Sequence, residues 1–174
     1  MDRVKHSPDG ATAPVLVLGV GNVLLGDDGV GPRLVRELQA LYSGVPAVEC
    51  LDGGTQGLAL LAYFDRRQSL IIVDAVSGGG CPGEVSVFDR AALLASNGTR
   101  ATTAHEGNAS ELLACAHLLD ELPERVFLVG VQPERIQTEL ALSESVAKAL
   151  PEAFTRACQV IEQELALVTN LTAA

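Results

Sequence analysis

The sequence lacks any apolar stretch as long as a membrane-spanning helix. Although 48% of the chain is hydrophobic, no run approaches the roughly 18 apolar residues that such a helix needs. The first 13 residues are polar and mixed in charge, without the apolar centre of a secretory signal. We therefore expect a cytoplasmic protein without membrane insertion. Residues 1–13 are predicted to form a disordered tail, and residues 14–170 a single domain.

Positive charge is scarce, and the cysteines are not paired in sequence. Twelve lysines and arginines face 22 aspartates and glutamates, giving a net charge of −10, and the basic residues are scattered. Nucleic acid is excluded as a partner, because binding it requires a basic surface. The cysteines form no C-x-x-C pair, so in a cytosolic chain we expect all of them to be reduced. They are Cys50, Cys81, Cys115 and Cys158.

Several familiar catalytic and nucleotide-binding motifs are absent. There is no H-E-x-x-H helix of a zinc protease and no G-x-S-x-G turn of a serine hydrolase. Gly19 and Gly21 begin a dinucleotide-binding pattern, but Leu24 occupies the position of its third glycine. Asp27 and Asp28 would also repel a phosphate. The sequence therefore does not favour a nucleotide site.

Residues 15–32 are the stretch around which the chain is organised. Four apolar residues, 15–18, predict a strand buried on both faces, and Pro32 suits the first turn of a helix. That helix would bury the apolar stripe Leu34, Val35, Leu38 and Leu41. The glycine-rich loop between strand and helix carries Asp27 and Asp28. Such a loop opens at the carboxyl end of a strand, where open α/β sheets bind ligands.

Strands and helices are predicted to alternate along the rest of the chain. Further strands are predicted at 47–51, 69–73, 83–88 and 126–131, and helices at 55–63, 90–95, 108–121 and 143–168. Pro151 should kink or split the last helix. This order predicts an α/β fold, a three-layer α/β/α sandwich with a mostly parallel sheet of about five strands.

Acidic residues and one histidine are predicted to meet at one edge of this sheet. Each acidic residue follows a predicted strand: Asp27 and Asp28 the first, Asp52 the second, Asp74 the third and Glu134 the last. His105 lies in a loop that can return to the same edge. Two carboxylates and an imidazole leave coordination positions open, which suits an exchangeable divalent metal without selecting one.

Structural roles remain open for three of the acidic residues. Asp27 can hold its loop by accepting hydrogen bonds from backbone N–H groups instead of reaching a ligand. Asp52 can be a turn residue, and Glu134, after a proline, can cap a turn. Asp74 follows five apolar or small residues, so even a structural role would require that its carboxylate be hydrogen-bonded.

Four motifs resemble those of the hydrogenase maturation endopeptidases. They are G-V-G-N-V-L-L-G-D-D-G-V-G-P at 19–32, D-G-G-T-Q-G at 52–57, L-I-I-V-D-A at 70–75 and V-G-V-Q-P-E at 129–134. The resemblance extends over most of the chain, about residues 15–168. It implies an aspartic-type or metal-dependent endopeptidase that removes the C-terminal extension of the large-subunit precursor of a nickel–iron hydrogenase after nickel insertion.

The resemblance also implies roles for individual residues. Nickel contacts and catalysis would fall on Asp28, Asp74 and His105, with the nickel supplied by the precursor. The groove for the substrate tail would be formed by Asp52, Gly53, Gly54 and Thr55. Two other functions remain open: a metal-dependent peptidase or amidase with a different substrate, and a non-catalytic α/β binding module. The oligomeric state and the client hydrogenase stay undetermined.

Overall fold

A computed structural model describes residues 12–95, 102–103 and 109–172; for 102–103 and 171–172 it describes the backbone alone. The strands are β1 (Val15–Val20), β2 (Val48–Gly54), β3 (Ser69–Ser77), β4 (Val85–Asp89), β5 (Thr102–Thr103) and β6 (Arg125–Val131). The α-helices are α1 (Val30–Tyr42), α2 (Arg90–Ala95), α3 (Ala109–Leu118) and α4 (Glu144–Thr172). Two 3₁₀ helices span Asp27–Gly29 and Gly57–Tyr63. Most of the predicted N-terminal tail, residues 1–11, lies outside the described residues.

The sheet has the strand order β2-β1-β3-β6-β4. Strands β2, β1, β3 and β6 are parallel, whereas β4 runs antiparallel to β6 at one edge, and the short β5 pairs with the end of β3. This confirms the predicted mostly parallel sheet of about five strands and the edge position of β4. None of the helices in the described ranges is long and apolar enough to cross a membrane.

Alternating side chains of the central strands fill two apolar layers. Val15 and Val17 of β1 pack with α1 and α4, whereas Leu16 and Leu18 pack with α3 and the 3₁₀ helix at 57–63. Because both faces are covered, the central strands are apolar throughout, as expected for a parallel sheet. The predicted three-layer sandwich is therefore confirmed.

Three local predictions differ from the structure. The segment after β2 is a 3₁₀ helix without a side-chain cap, so the predicted α-helix starting at Thr55 is wrong. Leu41 is 58% exposed, and Tyr42 takes the inward position because it continues the four-residue spacing from Leu38. Pro151 lies on the exposed side of a continuous α4 and does not split it. Buried alanines on both sides of the proline hold the helix to the sheet.

Two glycines allow α1 to begin directly against the carboxyl end of the sheet. A Cβ atom at Gly31 would lie 2.2 Å from the carbonyl oxygen of Val20 and 2.4 Å from that of Val73. A Cβ atom at Gly19 would lie 2.5 Å from the carbonyl oxygen of Gly31. This close approach brings the loop 21–29 onto the carboxyl ends of β1 and β3.

Substitution of Gly31 by alanine is expected to destabilise the protein by about 3 kcal/mol, because the obstructing atoms belong to the backbone and cannot rotate away. Urea denaturation at pH 7 measures the effect. Gly44→Ala is the matched control, since nothing lies within 4 Å of its Cβ position. Equal stability of the two variants would contradict the close packing of α1 on β1.

Candidate functional site

The loop between β1 and α1 folds back on itself around Asp28. The backbone N–H of Asn22 donates to Oδ2 of Asp28 at 2.7 Å, and the side-chain Oδ1 of Asn22 accepts from the N–H of Leu24 at 3.0 Å. Gly21 has a φ of +129°, and a Cβ atom there would lie 1.9 Å from the carbonyl oxygen of Asp28. Asp28 is thereby held in the 3₁₀ turn with 8% of its surface exposed. The loop follows β1, as predicted.

Asp27 holds this loop to a distant segment of the chain. Its Oδ2 accepts from the N–H groups of Glu134 at 2.9 Å and Arg135 at 3.1 Å, and its Oδ1 accepts from the N–H of Ser143 at 2.6 Å. Burial opposes ionisation of this carboxyl, but the three backbone donors together keep its pKa below the usual value. Of the two roles left open by the sequence, Asp27 therefore has the structural one.

Asp74 lies inside β3 instead of at its end. The predicted boundary is wrong because pairing with β6 and β5 continues β3 to Ser77, although pairing with β1 stops at Val73. The side chain is 2% exposed. Its Oδ1 accepts from the N–H of Ala75 at 2.8 Å, and its Oδ2 accepts from the N–H of Ala109 at 3.3 Å, the first residue of α3. The buried carboxylate thus meets the hydrogen-bonding requirement stated from the sequence.

Asp28 and Asp74 form an interacting pair of acids. The 3₁₀ turn that carries Asp28 packs on β3. Burial, together with the negative charge of Asp28, raises the pKa of Asp74 to about 8 against the lowering effect of the N–H donors Ala109 and Ala75. The two carboxyl groups that were predicted to meet at the sheet edge therefore lie close enough for their charges to interact.

His105, the third predicted member of the site, lies outside the described residues. The nearest described residues on either side of it are both attached beside Asp74. Thr103 pairs with Val76, two residues beyond Asp74, and the N–H of Ala109 donates to Asp74 itself. Within the part of the chain that the structure covers, no three His, Cys, Asp or Glu side chains form a metal-binding group.

The D-G-G-T motif forms the end of β2 and the residue just beyond it, and only Gly53 among its four residues is buried. Asp52 is inside the strand, not after it, and pairs with Gly19. Its Oδ1 accepts from the N–H of Gly54 at 3.2 Å, as the turn alternative requires. Gly53 is buried, and a Cβ atom there would lie 2.9 Å from a methyl group of Leu18. Thr55 is exposed.

Two features of the site are not indicated by the sequence. Arg36 of α1 binds Oδ2 of Asp52 through Nε at 3.2 Å and Nη2 at 2.9 Å. The segment 133–143 is hydrogen-bonded to the loop 21–29. The N–H of Gly26 donates to the carbonyl of Glu139 at 2.7 Å, and the N–H of Glu139 donates to the carbonyl of Leu24 at 3.0 Å. Both features join residues far apart in sequence, and neither periodicity nor a local motif indicates such a pairing.

Glu134 does not join the acid pair. Its carboxylate accepts from Arg135 at 3.0 Å and from the hydroxyl of Ser145 at 2.7 Å, and the side chain is partly exposed. The predicted group of acids at this edge therefore divides: Asp28 and Asp74 interact with each other, whereas Asp27, Asp52 and Glu134 have partners elsewhere in the chain.

Comparison with known proteins connects this arrangement to one family. A family model described as hydrogenase maturation protease matches residues 32–160. The hydrogenase 2 maturation protease of Escherichia coli K12 is 33% identical over 150 residues, 86% of this chain and 91% of the relative. The hydrogenase expression/formation protein HoxM of Cupriavidus necator is 35% identical over 138 residues, 79% of this chain and 68% of the relative.

Solved structures agree with the sequence comparisons. The hydrogenase maturating endopeptidase HybD of Escherichia coli aligns with a TM-score of 0.72 and 30% identity, covering 86% of this chain and 93% of its own. The maturation protease HybD of Thermococcus kodakarensis aligns with a TM-score of 0.69 and 26% identity, covering 84% of this chain and 97% of its own.

Proposed function

This chain belongs to the hydrogenase maturation protease family and is a peptidase that processes hydrogenase, and we propose that it removes the C-terminal extension of a nickel–iron hydrogenase large-subunit precursor after nickel insertion. The observation that carries the proposal is the buried pair Asp28 and Asp74 at the carboxyl edge of the sheet. The attachment of Thr103 and Ala109 beside this pair supports His105 as its third member.

The donor set suits a nickel ion that arrives with the substrate. Carboxylates of Asp28 and Asp74 with the imidazole of His105 would supply three ligands, leaving positions for ligands from the precursor. A divalent cation between the two carboxyl groups would also relieve their mutual repulsion. A nickel ion held by these residues would supply Lewis acidity to the scissile carbonyl. A precursor without nickel would lack this attachment, so the three residues would select loaded substrate.

Residues of the chain itself would carry out the proton transfers and the binding of the substrate tail. Water attacks the carbonyl carbon of the scissile peptide, the C–N bond breaks, and the leaving amine takes a proton. A carboxylate oxygen of Asp74 would take the proton from the attacking water and pass it to that amine, acting first as a general base and then as a general acid. Thr55, exposed just beyond β2, would contact the extended tail of the substrate, and Gly53 and Gly54 would shape the turn before it.

Nickel dependence is tested by incubating the purified chain with nickel-loaded and nickel-free precursor and weighing the large subunit by mass spectrometry. The wild type should shorten the loaded subunit alone. His105→Ala should lower the rate at least about 100-fold, since it removes a ligand and orienting group. His117→Ala, which changes an exposed histidine on α3, should leave the rate unchanged.

Three outcomes would overturn parts of this proposal. Equal cleavage of nickel-free precursor would exclude recognition through nickel. Hydrolysis of unrelated peptides at a similar rate would favour a general metal-dependent peptidase or amidase. Tight binding of the precursor without any loss of mass would favour a non-catalytic binding module.

A further inference from the structure

The carboxylate of Asp52 is engaged on both oxygens by groups of the protein itself. Oδ2 accepts from Nε and Nη2 of Arg36, and Oδ1 accepts from the N–H of Gly54. The side chain of Asp52 is 36% exposed, so these contacts lie at the surface of the protein. The sequence resemblance implies that Asp52 binds the substrate. A carboxylate whose two oxygens already accept hydrogen bonds from the protein is poorly arranged for that role.

The contacts of Asp52 fix an irregular end of β2. Gly19 pairs with Asp52 and the next residue, Val20, pairs with Gly54, so Gly53 is skipped in the register. Gly54 adopts a φ of +49°, a left-handed conformation that glycine accommodates without strain. The carbonyl of Gly54 then accepts from the N–H of Gly21 at 3.0 Å. Asp52 thus stabilises the turn that directs this carbonyl toward the start of the loop that carries Asp28.

Gly21 is the first residue of the loop 21–29, and its backbone contacts that of Asp28. Its Cβ position lies 1.9 Å from the carbonyl oxygen of Asp28, so the two backbones touch. The following residue, Asn22, donates its N–H to Oδ2 of Asp28 at 2.7 Å. A shift of Gly21 therefore moves both the backbone beside Asp28 and the donor that orients its carboxylate.

We propose that Asp52, held by Arg36, is a positioning residue that fixes the carboxylate of Asp28 through Gly54 and Gly21. The inference rests on the proposed function, because Asp28 is there a ligand of the nickel in the substrate. It deepens that function by assigning the aspartate of the D-G-G-T motif to preorganisation of the site. A misplacement of about 1 Å at such a site can lower a rate about 100-fold.

Two readouts distinguish positioning from substrate contact: the exchange rates of individual backbone amides by NMR, and the separate kcat and KM for nickel-loaded precursor. Asp52→Ala should speed exchange at the amides of Gly21 and Asn22 at least about tenfold and leave Ile161 in α4 unchanged. Its kcat should fall about tenfold or more, while KM stays within about twofold.

Three further variants, of Asp52, of Arg36 and of a control ion pair, test the positioning role of Asp52. Asp52→Asn retains an oxygen that can accept from Gly54, so its effects on exchange and kcat should be smaller than those of Asp52→Ala. Arg36→Gln should act in the same direction, about threefold, because it loosens Asp52 without removing the Gly54 contact. Glu152→Ala removes another exposed arginine–carboxylate pair, with Arg156 on α4, and should change neither readout.

The proposal would be overturned by a raised KM with unchanged kcat and unchanged exchange at Gly21 and Asn22, which would make Asp52 a substrate contact. Faster exchange throughout the chain in Asp52→Ala, with no local effect in Arg36→Gln, would reduce Asp52 to a general stabiliser and overturn it equally. If the wild type fails to cleave loaded precursor, the proposed function fails, yet the exchange measurements still decide the positioning role.

Discussion

Replacement of Asp74 by asparagine is expected to abolish cleavage of the precursor and, at the same time, to stabilise the protein at pH 8. The two effects have one cause. Asp74 is buried beside Asp28 with only two backbone donors, so its negative charge is useful in the proposed site but unfavourable for folding. Cleavage should fall at least about 1000-fold, because the variant loses a nickel ligand and proton acceptor together.

The expected pH dependence follows from the raised pKa. Asp74 titrates near 3.8 when unfolded and at about 8 when folded, so the folded protein binds the extra proton between these values. The protonated carboxyl of Asp74 contributes to the free energy of unfolding; this contribution is fully present below about pH 4 and is lost as the pH rises through about 8. Asparagine does not ionise, although its amide cannot accept one of the two N–H bonds, a loss of about 1 kcal/mol. The variant should thus be no more stable than wild type at pH 4 and more stable by a few kcal/mol at pH 8.

Urea denaturation of both proteins at pH 4, 6 and 8, without added nickel, measures this difference. Glu164→Gln supplies the opposite case, because Glu164 is also 2% exposed but is paired with Arg125 and Ser69. That variant should be less stable than wild type near neutral pH, since it leaves the arginine without its partner. A stability difference for Asp74→Asn that stays constant with pH would show that Asp74 ionises normally, and retained cleavage would remove it from the site.

The general architecture of this chain could be predicted because its central strands are marked strongly. Residues 15–18 and 70–73 are apolar at every position, which a strand covered on both faces requires, and all are fully buried. Once those strands are placed in a parallel sheet, their carboxyl ends must share an edge. The proximity of Asp28 and Asp74 at this edge therefore follows from the topology of the sheet.

The rest of the site depends on pairings that no local pattern records. β3 extends past Asp74 because β6 and β5 offer it partners, and the sequence of β3 does not indicate where those partners stop. Asp27 and Asp28 are neighbours of the same type, yet one receives three backbone donors from residues more than 100 positions away. Their different roles are set by the segment that packs against the loop, which a single sequence does not identify.

Replacement of Asp27 by asparagine is expected to destabilise the protein by about 3 kcal/mol and to reduce cleavage strongly. The carboxylate is 1% exposed and accepts three backbone N–H groups from Glu134, Arg135 and Ser143. An amide has only one acceptor oxygen, so at least one buried N–H would face an NH₂ group, and the charge that strengthens all three bonds would be lost. Without this attachment the segment 133–143 would release the loop that carries Asp28.

The pH dependence of this variant should be opposite to that of Asp74→Asn. The pKa of Asp27 is lowered from 3.8 by its donors, so its contribution to stability is present above about pH 4 and is lost as the pH falls through the folded-state pKa. In urea denaturation the deficit of Asp27→Asn should be constant from pH 5 to 8 and smaller at pH 3. Asp89→Asn is the control: Asp89 also accepts a backbone N–H, from Ala92 at 2.8 Å, but it is exposed and caps only α2.

Comparison of Asp27→Asn with Asp89→Asn tests whether Asp27 holds two segments of the chain together or binds nickel or substrate. Asp89→Asn should change stability by less than about 0.5 kcal/mol and leave cleavage unchanged, because asparagine caps a helix about as well as aspartate and α2 packs on β4 and β6 away from the acid pair. If Asp27→Asn retained wild-type stability but lost cleavage, Asp27 would act on nickel or substrate, and the three backbone donors would have found other partners. Joint loss of stability and cleavage, with the stability deficit shrinking in acid, is the result that an ionised attachment between the two segments requires.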